Sequence, residues 1–101
     1  MSWEGPSFEP QAVAEVCKRY QVQELAVFGS ALRDDFRPES DIDVLVDFKP
    51  EASVGFLALA GLQVELAALF GRRVDLVPKR GLKPLIRDQV LSSARVFFRA
   101  A

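Results

Sequence analysis

Histidine is absent from this 101-residue chain, and Cys17 is its single cysteine. Without histidine there is no Ser-His-Asp or Cys-His catalytic set and no His-ligated zinc. One cysteine also excludes a cysteine-rich metal site. Any chemistry must therefore depend on carboxylates and hydroxyls, with a hard cation such as Mg²⁺ that prefers oxygen ligands.

Long apolar runs are also absent. The nearest candidate, residues 54–70, is interrupted by Gly61, Gln63 and Glu65, so we expect no membrane-spanning segment. The first residues lack a basic head followed by an apolar stretch, which argues against a signal peptide. Because a lone cysteine forms no internal disulfide, these features together favour a cytoplasmic protein.

Excess charge of one sign is absent as well, since the formal net charge is −1. Residues 1–71 nevertheless hold 12 acidic and 5 basic side chains, and residues 72–101 hold 2 acidic and 8 basic. The overall balance argues against a dedicated nucleic-acid-binding protein, which needs a basic surface. The basic C-terminal third could meet an anionic ligand or an acidic partner, or it could be a solvated helix face.

The hydrophobic periodicity predicts one α/β domain over residues 1–101, with a small sheet, helices on one face and the other face open. A helix capped by Ser7 is expected to reach Tyr20. Apolar spacing in the last helix predicts that Leu82, Leu85, Ile86 and Val90 face inward. The remaining predicted elements are strands at 25–28, 41–48 and 73–77, a helical turn and loop in 31–40, helices at 53–70 and 82–94, and an apolar tail at 96–98 that is an extra strand or a packed end.

The long helix at 53–70 carries two apolar sides. One stripe contains Phe56, Leu59, Leu66 and Phe70, and the second contains Leu57, Ala60, Val64 and Ala67. A helix that is apolar on two sides is either buried twice or sits against a partner. The sequence leaves both possibilities open.

The informative motif is Phe28-Gly29-Ser30, followed after ten residues by Asp41-Ile42-Asp43. Carboxylates at positions i and i+2 of a strand point the same way, with Cα atoms about 6.5–7 Å apart. Placing two such charges together is unfavourable unless a cation lies between them. We therefore expect a divalent metal at Asp41 and Asp43.

A phosphate group is expected beside this metal. Gly29 lets the backbone approach a ligand closely, and the Ser30 hydroxyl with nearby amides can bind phosphate oxygens. Asp75, in the next predicted strand, is a candidate third carboxylate. Arg33 could contact phosphate or pair with a neighbouring aspartate, and Asp47 is expected to be solvated.

These residues resemble the signature of the DNA-polymerase-β-like nucleotidyltransferase superfamily. The segment Gly71-Arg72-Arg73-Val74-Asp75-Leu76-Val77 resembles the third-carboxylate strand of its smallest branch, the minimal nucleotidyltransferases. The resemblance implies the polymerase-β-like α/β fold with a mixed sheet, two Mg²⁺ ions and ATP as substrate. It also implies that Asp41, Asp43 and Asp75 are the catalytic and metal-binding residues, and that Gly29, Ser30 and Arg33 bind the nucleotide.

In that branch, the proteins act as antitoxins of a HEPN-domain ribonuclease encoded beside them. The resemblance therefore implies AMP transfer to a hydroxyl of this partner, typically of tyrosine, within a hetero-oligomer. Two alternatives remain open from the sequence. One is an antitoxin that binds its partner without catalysis, and the other is a nucleotidyltransferase acting on a small molecule or RNA.

Overall fold

The structure is a computed structural model and describes residues 8–28 and 41–100. These ranges contain three α-helices, four strands and one short 3-10 helix, in the order α1 (Pro10–Arg19), β1 (Val22–Phe28), β2 (Ile42–Phe48), α2 (Phe56–Phe70), β3 (Val74–Pro78), the 3-10 helix (Lys79–Gly81), α3 (Pro84–Ser93) and β4 (Arg95–Arg99). The helical turn predicted within 31–40 lies outside the described residues.

The strands form one sheet in the order β3-β2-β1-β4. β1 is antiparallel to both β2 and β4, whereas β2 and β3 are parallel. The predicted α/β class with a small mixed sheet is therefore confirmed. The apolar tail is the extra strand β4, which pairs with β1 at one edge of the sheet.

The core lies between the sheet and the first two helices. Val13, Val16 and Cys17 of α1 and Leu62 and Leu66 of α2 are all buried at 5% exposure or less. They meet alternate residues of β2 that are fully or almost fully buried, namely Ile42, Val44 and Val46. Burial of each such aliphatic side chain contributes about 1.5–3 kcal/mol, so this layer stabilises the sheet behind the site.

The opposite face of the sheet is less open than predicted. Ala26 and Leu45 point to this face but are only 2% and 5% exposed. The strand register places them in one row with Val77 and Val96. Apolar side chains in such a cross-strand row shield one another, which accounts for part of this burial.

The predicted helix ends are partly confirmed. Gly71 closes α2 in the left-handed conformation with φ 68°, as expected for a glycine at this position. However, α2 begins at Phe56 and not at Ser53. Helix α1 begins at Pro10 with Glu9 at the N-cap, and Glu9 makes no side-chain capping bond. Ser7, the predicted cap, lies outside the described residues.

The prediction that Leu85 of α3 faces inward is wrong. Leu85, expected to face inward, is 97% exposed. Helix α3 belongs to the connection from β3 to β4, which are the two edge strands of the sheet. Apolar spacing predicts that a helix forms, but it does not determine which side of a connecting helix meets the core. Leu82 and Val90 are half-buried, and the Ile86 side chain lies outside the described part of the structure.

The two core helices approach closely at Gly61. A Cβ atom at this position would lie 2.8 Å from Tyr20 Oη, so glycine lets the two helices approach this closely without displacing the tyrosine hydroxyl. Tyr20 Oη donates a hydrogen bond to Glu65, which also pairs with Arg19 at 2.6 Å. The hydrogen bond from Tyr20, with that from Arg19, lowers the pKa of the Glu65 carboxyl. Among the residues described, no helix has the length and apolarity needed to cross a membrane.

Candidate functional site

The site lies where the parallel strands β2 and β3 begin. Asp43 is the direct register partner of Asp75 on β3 and of Phe28 on β1. Adjacent strands are about 4.8 Å apart, so the two carboxylates are side-by-side neighbours on one face of the sheet. The sequence-predicted placement of Asp75 beside Asp43 agrees with this register.

Asp41 lies just before β2 and is tied to the start of β3. The amide of Ile42 donates to the Arg73 carbonyl at 2.9 Å. The Asp41 carboxylate lies 3.9 Å from Arg73 Nε, and these side chains are 53% and 88% exposed. An ion pair this long and exposed contributes at most about 1 kcal/mol, so Asp41 can rotate away from Arg73 at little cost.

The electrostatics of Asp43 show that the other two carboxylates act on it. Burial raises the pKa of the Asp43 carboxyl above its ordinary value, and the charges of Asp75 and Asp41 raise it further. A carboxyl group in this position is stabilised by any cation that joins it. No basic side chain is recorded within ion-pair distance of Asp43 in the described part of the chain.

An open depression of about 320 Å³ adjoins the carboxylates. Asp41 and Asp75 line it, together with Gln63 and Val64 of α2. Gln63 Oε1 accepts a hydrogen bond from the Leu76 amide at 3.0 Å, which fixes the outer edge of β3 next to Asp75. Asp43 is not among the lining residues, so the carboxylates are adjacent without forming one enclosed pocket.

The donor set suits a hard divalent cation, since it consists of carboxylate oxygens in mutual repulsion. In the side-chain positions recorded for 8–28 and 41–100, no group of three His, Cys, Asp or Glu residues is arranged to hold a metal ion. In this arrangement the exposed Asp41 side chain lies 3.9 Å from Arg73 Nε. Asp43 and Asp75 would hold a cation with Asp41 after a rotation of that exposed side chain.

None of the three predicted nucleotide-binding residues is described. Gly29, Ser30 and Arg33 lie outside the described residues, so their predicted roles remain predictions. Strand β1 ends at Phe28, the register partner of Asp43. Asp47, expected to be solvated, is about one-third exposed and lies 4.0 Å from Lys79 at the opposite end of β2.

Sequence reasoning missed two residues beside the carboxylates, Gln63 and Arg73. Gln63 is one of two polar side chains in an otherwise apolar helix, which is a signal that could have identified it. Arg73 lies in the segment that carried the family resemblance, but nothing in its spacing indicated an ion pair with Asp41.

Comparison with known families agrees with this geometry. Residues 10–97 match the model of the Nucleotidyltransferase domain family. The chain belongs to this family. This nucleotidyltransferase is 44% identical over 77 residues to the protein adenylyltransferase MntA of Thermococcus cleftensis, and the match covers 76% of each protein. The predicted enzyme class is therefore confirmed.

Solved structures share the fold of this nucleotidyltransferase. One, described as a minimal nucleotidyltransferase, is 41% identical with a TM-score of 0.70 over 85% of this chain and 86% of the other. Another contains a tri-AMPylated HEPN toxin of Shewanella oneidensis in complex with an MNT antitoxin, and matches at 20% identity and a TM-score of 0.62. It covers 90% of this chain and 70% of the other, and at this identity it supports the fold alone.

Proposed function

We propose that this nucleotidyltransferase transfers AMP from ATP to a hydroxyl group of a partner HEPN-domain toxin, and thereby acts as its antitoxin. The observation that carries the proposal is the register of Asp43 beside Asp75, with Asp41 close enough to act on Asp43 electrostatically. The 44% identity to a protein adenylyltransferase supports transfer to a protein acceptor. Residues 1–101 would act as one domain, in the cytoplasm.

In this proposal, Asp41, Asp43 and Asp75 would hold two Mg²⁺ ions, which would neutralise charge on the triphosphate and lower the pKa of the acceptor hydroxyl. Gly29 and Ser30 follow Phe28 directly in the sequence and bind the β- and γ-phosphates. Arg33 either contacts phosphate or braces this segment.

The transfer step is an in-line displacement at the α-phosphorus. The acceptor oxygen, which we assign to a tyrosine of the partner, forms a bond to the α-phosphorus as the bond to the bridging oxygen breaks. Pyrophosphate leaves with the bonding electrons. The hydroxyl proton passes to the Asp75 carboxylate and from there to solvent.

The test is incubation with the purified HEPN-domain partner, Mg²⁺ and ATP labelled at either the α- or the γ-phosphate. We expect label on the partner from α-labelled ATP alone, no label with Asp43→Asn, and full transfer with the matched surface variant Asp88→Asn. Label from the γ-phosphate would identify a kinase and contradict the proposal. Absence of any transfer by folded wild-type protein would contradict it as well.

Neutralisation by binding alone is the second candidate, favoured by the exposed apolar side of α2. The double variant Asp41→Ala with Asp43→Ala separates the two candidates. If catalysis neutralises the toxin, this variant leaves the toxin active even when the two proteins still form a complex. Full neutralisation by the double variant would favour binding over catalysis.

A further inference from the structure

Helix α2 is apolar almost all the way round. Gln63 and Glu65 are its only polar side chains, and both are engaged within the molecule. Gln63 accepts a hydrogen bond from the Leu76 amide, and Glu65 accepts one from Tyr20. They lie at the two boundaries of the buried face, so no polar side chain of α2 points directly away from the core.

The side of α2 that faces away from the core is an exposed apolar stripe. Phe56 is 82% exposed, Leu57 is 85% exposed and Val64 is 67% exposed. At 100° per residue they fall on one side of the helix, together with small side chains. We call this surface the outer stripe, and it consists of Phe56, Leu57, Ala60, Val64 and Ala68, with the half-buried Ala67 at its edge, where it also packs against the core. Contiguous apolar surface of this kind on a folded protein marks an interaction site.

The amino end of the outer stripe is electropositive. Phe56 lines a cavity of about 250 Å³ together with Lys49, Lys79 and Arg80. Asp47 offsets one of these charges through its contact with Lys79. The first turn of α2 has no acidic residue, so the helix dipole adds to the positive potential.

The other end of the outer stripe reaches the carboxylates. Val64 and Ala67 line the same depression as Asp41 and Asp75. From Phe56 to Ala67 the distance along the helix is about 16 Å, or three turns. A segment lying on the outer stripe would therefore contact the cationic cavity at one end and the catalytic carboxylates at the other.

From this continuity we infer that the outer stripe seats an amphipathic helix of the acceptor protein. An acidic residue of that helix meets Lys49, Lys79 and Arg80, and the acceptor hydroxyl, about three turns away, enters the depression at Asp41 and Asp75. This inference rests on the proposed function, because it names the surface that presents the acceptor.

The position of the stripe beside the carboxylates favours the acceptor protein over a second copy of this chain. In an antiparallel pairing of two α2 helices, the cationic end of each copy would lie over the Asp41–Asp75 depression of the other and bar a nucleotide from both sites. The acceptor must bring its hydroxyl to that same depression for transfer to occur, so we assign the stripe to it.

The experiment compares Leu57→Glu with the control Leu85→Glu, which places the same charge on exposed α3. Arg80→Glu is compared with Arg87→Glu in the same way. We expect Leu57→Glu and Arg80→Glu to raise the KM for the HEPN-domain partner at least tenfold while kcat and Mg–ATP binding stay within twofold. Both control variants should match wild type. Leu57→Ala, which adds no charge, provides a milder second variant, with an expected rise in KM of about threefold or more.

Each outcome bears on one claim. If Leu57→Glu and Arg80→Glu transfer AMP with the same KM as wild type, the docking surface is overturned and the proposed function stands. If the partner binds in a way that depends on Leu57 but wild type transfers no AMP to it, the proposed function is overturned and the docking surface stands. A wild-type homodimer in sedimentation equilibrium that Leu57→Glu dissociates would show that a second copy occupies the stripe, against our assignment.

Discussion

Asp75→Asn should stabilise the metal-free protein while abolishing its activity. Asp75 and Asp43 are register partners on neighbouring strands, about 4.8 Å apart at the backbone. Two charges at about 5 Å repel by about 3 kcal/mol at an effective dielectric constant near 20 and by about 0.8 kcal/mol in water. Because Asp75 is exposed, the value near that of water applies, and we expect a gain of about 1 kcal/mol.

The assay is thermal unfolding followed by circular dichroism at pH 8, in EDTA and low salt. For a domain of this size, about 1 kcal/mol corresponds to a rise of roughly 4–8 °C in Tm. The gain should shrink in 1 M NaCl, where charges are screened over about 3 Å. With Mg²⁺ and ATP the order should reverse, since wild type gains stability from ligand that the variant no longer binds.

Asp88→Asn on exposed α3 is the matched control and should change the unfolding free energy by less than about 0.5 kcal/mol. If Asp75→Asn melted at or below the wild-type temperature in EDTA, the two carboxylates would not repel each other. If Mg²⁺ and ATP stabilised this variant as much as wild type, Asp75 would not belong to the site. Either result would refute the reasoning.

Three further predictions concern the fold. Gly61→Ala should stabilise the protein by about 1 kcal/mol only in a Tyr20→Phe background, because the new Cβ meets Tyr20 Oη in wild type. If urea unfolding gave equal effects of Gly61→Ala in both backgrounds, this contact would be contradicted. Cys17 is fully buried, and burial raises its pKa to about 12. Ellman's reagent at pH 8 should therefore react with Cys17 only as the protein unfolds. Rapid labelling of the native protein would be inconsistent with this burial. Leu66→Ala should cost about 2–5 kcal/mol of unfolding free energy and Leu57→Ala less than about 0.5 kcal/mol, an order that denaturant titration can confirm or reverse.

The predictable part of this fold depends on local patterns. Strand β2 has apolar side chains at every second position, so its core face could be assigned from Ile42, Val44 and Val46. Gly71 could be predicted as the end of α2 because few other residues adopt the left-handed conformation. The carboxylates could be predicted for a similar reason, since Asp41 and Asp43 repeat at the period of a strand.

The unpredicted part depends on how elements pack. The spacing of Phe56, Leu59, Leu66 and Phe70 placed Phe56 on the core stripe, yet Phe56 is 82% exposed because it lies on the side of α2 that faces away from the core. Because α2 is apolar on both sides, periodicity could not determine which side is buried. The pairing of Asp41 with Arg73 depends on the parallel register of β2 and β3, which no local pattern encodes.

The central claim is that Asp41, Asp43 and Asp75 together bind a magnesium–nucleotide complex. Calorimetric titration of ATP into the purified protein tests it most directly, with Mg²⁺ in one series and EDTA in the other. We predict saturable binding of one ATP per chain in Mg²⁺ and none in EDTA. Equal binding in both series, or no binding in either, would contradict the account.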